Sequence, residues 1–155
     1  MSETERFLER PCTATTSESA REAAQRMRDT HVGSLVVVDG DDRPLGVVTD
    51  RDIALHVLPT GLDGARCSVG DCMSGPAITL NSNASLCEAS RLMRTSGVRR
   101  LPIIDGEGKL VGIVTADDLV AMIARQVQQL PAAVFRGFEN ELVGEPPGSV
   151  VFGRE

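Results

Sequence analysis

The chain has 155 residues, 41% of them apolar and 25% charged, with a net charge of −6; that is the balance of an ordinary globular domain. The acidic surplus argues against nucleic acid and anionic membrane as main partners, because both recruit clustered lysine and arginine. No apolar run approaches the ~18 residues of a membrane span and the N-terminal MSETERFLER lacks a signal-peptide core, so a cytoplasmic protein is expected.

Residues 1–12 are polar apart from Phe7 and Leu8, and Pro11 punctuates them. Ser19 and Glu22 then form a capping box that starts a helix, with Ala20, Ala23, Ala24 and Met27 as its apolar face. Residues 35–38 are four branched apolar residues in a row, which suits a strand buried on both faces. Asp39-Gly40 is a hairpin signal, residues 45–49 return as a second strand, and a helix runs from Asp50 to about Leu58, where Pro59 ends it. Residues 60–70, rich in glycine and small polar groups, read as a linker.

The remainder repeats the first half. A short strand is expected over 77–80, and a helix begins at the box Ser85–Glu88 with Leu86, Ala89, Leu92 and Met93 facing in. Strands follow over 101–104 and 110–115, then a helix from Ala116 to about Gln129, closed by Pro131. Residues from Thr13 to Ala54 have counterparts 66 positions on, Met27 answering to Met93, and 14 of the 42 pairs are identical. Chance at average composition gives about three. The fold class is therefore α/β, with two pseudo-symmetric units of β-α-β-β-α order: 1–66, 67–130 and a tail, 131–155. A unit of ~60 residues buries too little surface to stand comfortably alone, so the two should share a core. The tail, with Pro146-Pro147-Gly148, is either an extension folded over the module or a partner-binding segment.

The cysteines are Cys12, Cys67, Cys72 and Cys87; they make no C-x-x-C, and His31 and His56 stand at no metal-site spacing from them. Free thiols are expected, with Cys87 on the buried side of its helix, and no metal site. No nucleophile–base spacing and no Walker-type or G-x-G-x-x-G loop is present, so no catalytic residue is expected.

The chemistry lies where strand gives way to helix. Gly46-Val-Val-Thr49-Asp-Arg-Asp52 and Gly112-Ile-Val-Thr115-Ala-Asp-Asp118 place a Thr at the N-cap and an Asp in the first helical turn. A carboxylate beside a hydroxyl there suits the 2′ and 3′ hydroxyls of a ribose, and free N–H groups of the turn suit a phosphate. Thr-x-x-Asp is also close to a capping box with no ligand role.

These motifs, with Val98-Arg99-Arg100-Leu101-Pro102-Ile103-Ile104-Asp105 and the lead-in Asp71-Cys72-Met73-Ser74 followed by Ala77-Ile78-Thr79, resemble a tandem pair of cystathionine-β-synthase (CBS) domains. The resemblance covers roughly residues 10–130 and is to small stand-alone bacterial members, the hypoxic-response type among them. It implies two halves packed through their sheets into one module, and a non-enzymatic sensor with two clefts for AMP, ADP, ATP or S-adenosylmethionine, no cofactor, a homodimer and an unidentified protein partner. The alternative is an interaction dimer without nucleotide binding. Carried over, Asp52 and Asp118 hold ribose hydroxyls with Thr49 and Thr115 beside them. Ala77 and Ile78 meet adenine in the Asp52 cleft, and the region of Pro11 and Cys12 meets it in the Asp118 cleft. Arg99 and Arg100 resemble phosphate-facing positions whose first-half equivalents are Gly33 and Ser34, so the clefts are expected to be unequal, with Arg100 serving the Asp118 cleft. With no Trp or Tyr in the chain, adenine would be held between Val, Ile and Met.

Overall fold

The computed structural model describes residues 10–125 together with 127 and 128. The expectations for residues 1–9 and for the tail lie outside the described residues. Both repeats, as far as Leu119, belong to one compact unit; the residues from Val120 on are a second, in which helix continues to 125 and Val120, Ile123 and Val127 are exposed.

Each half is a three-stranded sheet with helices. In the first, β1 (Thr13–Ala14) runs parallel to β2 (Ser34–Val38), which pairs antiparallel with β3 (Pro44–Thr49). In the second, β4 (Leu80–Asn81), β5 (Arg100–Ile104) and β6 (Leu110–Thr115) do the same. The registers superimpose at the 66-residue offset: Ser34 faces Thr49 as Arg100 faces Thr115, and irregularities fall at Val37/Val38 and Ile103/Ile104. Duplicated sequence has given duplicated hydrogen bonding.

The helices begin where the capping signals stand. Helix α1 (Ala20–Thr30) starts from Ser19, whose hydroxyl accepts the Glu22 N–H while the Glu22 carboxylate accepts the Ser19 N–H. Residues 86–96 form the equivalent helix, capped by Ser85 and Glu88. Their inner faces are Ala20, Ala23 and Met27, and Ala89 and Met93. Ala24, expected inside, is exposed.

Side-chain alternation along β2 joins the halves. Leu35 and Val37 point into the first core with Ala20, Met27, Val48 and Ile53, whereas Val36 and Val38 meet Leu110 and Ile113 of the second hairpin. The Leu110 N–H also donates to the Asp42 carbonyl at 2.9 Å. The expected shared core is present.

Four local expectations need correction. Helix α2 (Asp50–Thr60) contains Pro59 rather than stopping before it, and ends at Gly61 in the left-handed region at φ 64. Proline in the last turn removes one N–H, and the Thr60 hydroxyl donates back to the His56 and Val57 carbonyls at the same end. The linker contains a one-turn helix, α3 (Val69–Cys72), capped by Ser68 and Asp71, before the 86–96 helix, α4. The strand expected over 77–80 pairs only at Leu80–Asn81, because the stretch before it bonds to the first half instead: the Ala77 N–H donates to the Leu45 carbonyl. Cys87 is exposed, a half-turn away from the buried Ala89 face of α4, while Cys67 and Cys72 are buried.

A cleft around Asp52

A segment of the second half lies along the edge of β3. Val47 and Ser74 exchange both backbone hydrogen bonds, at 3.0 and 2.9 Å, and Ala77 follows with its bond to Leu45. This carries Ser74, Gly75, Pro76, Ala77 and Ile78 past the end of β3 and the start of α2. On the other side, Gly97, Val98, Arg99 and Arg100 lead from α4 into β5. Between them opens a cleft of about 670 Å³ that Val47, Thr49, Asp50, Arg51 and Asp52 close from the first half.

Asp52 is half-buried at the third position of α2. Its Oδ2 accepts both from the Thr49 hydroxyl at 2.7 Å and from the Thr49 N–H at 2.9 Å, while its own N–H donates to Thr49 Oγ1 at 3.1 Å. All of the capping falls on one carboxylate oxygen. Oδ1 makes no hydrogen bond among the described residues and lies on a side chain that lines the cleft. The cap and the ligand role are thus compatible. Thr115 and Asp118 repeat the arrangement, with Oδ2 accepting at 2.7 and 2.8 Å, at the start of helix α5, which runs over 116–125.

The capping reading is also correct on its own terms: Ser19–Glu22, Ser68–Asp71 and Ser85–Glu88 build the same box, the last of them beside a smaller pocket of about 300 Å³ that Glu88 lines. What sets Asp52 apart is its surroundings, which the motif does not encode.

The expectation of free N–H groups for a phosphate fails at α2. The Asp50 N–H donates to the Gly33 carbonyl, the Arg51 N–H to Asp50 Oδ1 and the Asp52 N–H to Thr49 Oγ1. The start of α2 therefore offers an anion no free N–H from its first three residues. Arg51, Arg99 and Arg100 all line the cleft. Arg99 Nη2 lies 3.3 Å from Asp117 Oδ1; the Arg51 and Arg100 guanidinium groups make no hydrogen bond or ion pair among the described residues.

Six of the residues read from sequence therefore meet in one place: Thr49, Asp52, Ala77, Ile78, Arg99 and Arg100. The placing of Arg100 with Asp118 is overturned. Although its backbone pairs with Thr115, its side chain lines the Asp52 cleft, ending 3.9 Å from where a Cβ of Gly33 would stand. Strand pairing reports the neighbour in the ladder, not the face the side chain takes. Gly33 and Ser34 line no part of the Asp52 cleft. Cys12, expected at the Asp118 cleft, packs against the first core, and its carbonyl accepts the Val36 N–H. Arg51 was missed; its only signal was its place inside the motif. Among the described residues no group of three or more His, Cys, Asp or Glu is placed to hold a metal ion, and no helix is long and apolar enough to cross a membrane.

Residues 6–58 and 69–125 each match the CBS domain. A protein of Methanopyrus kandleri is 41% identical over 108 residues, 70% of this chain and 55% of that protein, so the chain spans about half the length of this relative. Hypoxic response protein 1 of Mycobacterium tuberculosis is 39% identical over 102 residues, 66% of this chain and 71% of that protein. The CBS domain pair of protein MJ0100, solved in complex with 5′-methylthioadenosine and S-adenosyl-L-methionine, has the same fold: the TM-score is 0.71 at 22% identity, covering 81% of this chain and 98% of that one.

Proposed function

The chain belongs to the CBS domain family, and on that footing we propose that it is a non-enzymatic regulatory module that binds an adenosine nucleotide (AMP, ADP or ATP) in the cleft around Asp52. The observation that carries the reading is the spare Oδ1 of Asp52, beside the Thr49 hydroxyl in a cleft of about 670 Å³. That volume lies within the ~300–1,000 Å³ usual for small-molecule sites. A ribose donates two hydroxyls to such an oxygen pair. Val47, Pro76, Ile78 and Val98 offer apolar surface to a base, and the arginines face its phosphates.

Ligand binding would be read by a partner, with the module working as a homodimer. Support for pairing comes from the groove of about 710 Å³ between α1 and α2, lined by Met27, Val32, Ile53, Val57 and Leu58, with Leu55 exposed on the same helix. S-adenosylmethionine, found in the MJ0100 pair, is the second adenosine compound to test.

The test is a thermal-shift panel with AMP, ADP, ATP and S-adenosylmethionine on the wild type, Asp52→Ala and Asp71→Ala. A ligand at ~100 times its dissociation constant adds about 2.7 kcal/mol, several degrees for a chain of this size. Both variants lose a cap carboxylate and start their helix less firmly. Only Asp52→Ala should lose the ligand shift. Equal loss in both, or no shift with any adenosine compound, rejects the reading in favour of an interaction dimer whose Thr-x-x-Asp motifs are caps alone.

A further inference from the structure

We propose that the pocket between β4 and α4 is a second binding site, separate from the Asp52 cleft, and that it takes an α-amino acid with an aliphatic side chain. The two sites share no lining residue, so this inference does not depend on the nucleotide reading.

The duplication shows why the pocket is open. In the first half the chain closes the corresponding corner itself. Arg26, on α1, donates to the Thr13 carbonyl and reaches the two carboxylate oxygens of Glu18 at 2.9 and 2.8 Å. Sixty-six positions on, Leu92 stands for Arg26 and Ala84 for Glu18, while Thr13 and Glu22 are kept as Thr79 and Glu88. Leucine and alanine have nothing to donate or accept, and no charged pair spans the corner. What remains is a pocket of about 300 Å³ in which Leu80, Ala84 and Leu92 are the apolar surface. That is the low end of the ~300–1,000 Å³ range of small-molecule sites, and it suits a molecule of amino-acid size.

The polar groups around the pocket are of both signs and have capacity to spare. The Thr79 carbonyl, whose counterpart holds Arg26, accepts no hydrogen bond among the described residues. Glu88 uses Oε2 for its cap, accepting the Ser85 N–H and hydroxyl at 2.8 and 2.9 Å, and its Oε1 accepts nothing among the described residues. Arg91, where the first half has Gln25, makes no hydrogen bond or ion pair there and acts on Glu88 only through space. Carbonyl and carboxylate oxygens call for an ammonium; a forked guanidinium calls for a carboxylate. An α-amino acid carries both on one carbon, leaving its aliphatic side chain for Leu80, Ala84 and Leu92. A guest with only one of the two charges leaves Arg91 or Glu88 unmatched.

Calorimetric titration tests this with L-leucine, isocaproate (leucine without its ammonium) and isoamylamine (leucine without its carboxylate). L-leucine should bind the wild type at least about tenfold more tightly than either, since a hydrogen bond to a charged group exceeds the free energy of one decade. Arg91→Gln alters an exposed side chain. It should weaken L-leucine by about the same factor and unfold at the wild-type temperature. Ala84→Glu/Leu92→Arg copies the closure made by Glu18 and Arg26, and should abolish binding in a folded protein. Asp52→Ala should bind L-leucine as the wild type does. No binding of L-leucine by the wild type, equal binding of the three compounds, or undiminished binding in Arg91→Gln or in Ala84→Glu/Leu92→Arg overturns the proposal and leaves the nucleotide reading standing. Loss of L-leucine binding in Asp52→Ala overturns the separateness of the two sites.

Discussion

Gly46 sits so close to Ser74 that a Cβ on it would stand 2.5 Å from the Ser74 carbonyl oxygen and 3.0 Å from the Met73 sulfur. The contact is the point at which the lead-in of the second half crosses β3 of the first, fixed by the paired hydrogen bonds of Val47 and Ser74. The glycine of the Gly-h-h-Thr-x-x-Asp motif is thus a matter of space rather than of backbone angle. Gly46→Ala should cost about 2 kcal/mol, the overpacking range, and shift the Ser74–Ile78 wall of the cleft, weakening any ligand bound there. Gly40→Ala, with nothing within 4 Å of its Cβ, should change stability by less than ~0.5 kcal/mol. Urea unfolding of the two variants checks the contrast.

Much of this was legible in the chain because short-range chemistry set it. Ser19 and Glu22, or Ser85 and Glu88, satisfy each other within four residues, and the capped helices begin where those residues stand. Leu35 to Val38 needed both faces buried, and the fold supplies helices on one side and the Leu110 hairpin on the other. What the chain hid depended on crossing geometry. Arg100 pairs in one ladder and lines the cleft of the other half; the pairing was readable and the direction was not. Helix α3 is a single turn, too short for periodicity to register, although Ser68 and Asp71 spell the same cap. Cys87 looked apolar enough to be inside, yet Ala89 and Met93 already fill the inward stripe of α4.

The thiols should react in a definite order. Cys87 is exposed and Cys12 half-buried, whereas Cys67 and Cys72 are buried in the first core. Burial, reinforced by Cys67, Asp71 and Asp52 nearby, pushes the Cys72 thiol above its ordinary value, so little thiolate is present at neutral pH. Titration with a chromogenic disulfide should show one fast thiol that Cys87→Ser removes. Cys67 and Cys72 should respond only in denaturant. A fast phase unaffected by Cys87→Ser would contradict the burial pattern.

Acid should loosen the helix starts before it affects the core. The carboxyls of Glu22 and Glu88 are held below the ordinary range chiefly by accepting the backbone N–H of Ser19 and Ser85, and that of Asp71 chiefly by the Ser68 hydroxyl. A carboxylate lowered in the folded state binds its proton less tightly there than in the unfolded chain. Its contribution is therefore complete above the unfolded value, about 4, and is lost as pH falls from there through the lowered folded value. The urea midpoint should be flat from pH 7 to 5 and decline below about 4. Glu88→Gln should make that decline shallower, because the cap it leaves no longer titrates. An unchanged slope would show that these caps are not the groups that titrate.

Leu110 is the residue on which the joining of the halves can be tested. It is buried against Val36 and Val38 from the first half, with Ile113 beside it. Its N–H reaches the Asp42 carbonyl through the backbone and survives substitution. Leu110→Ala removes only the apolar part of the contact, and should cost about 3 kcal/mol, the usual loss for a buried leucine. Ala89→Gly, buried within the second half alone, weakens one half by helix propensity, about 1 kcal/mol. If the shared cluster makes the two sheets one cooperative unit, Ala89→Gly should shift the urea transition without broadening it. Leu110→Ala should both shift it and lower its slope, as the halves begin to unfold separately. A single sharp transition in both variants would mean that the halves are coupled through the Val47–Ser74 crossing, and that the Leu110 cluster adds stability without cooperativity.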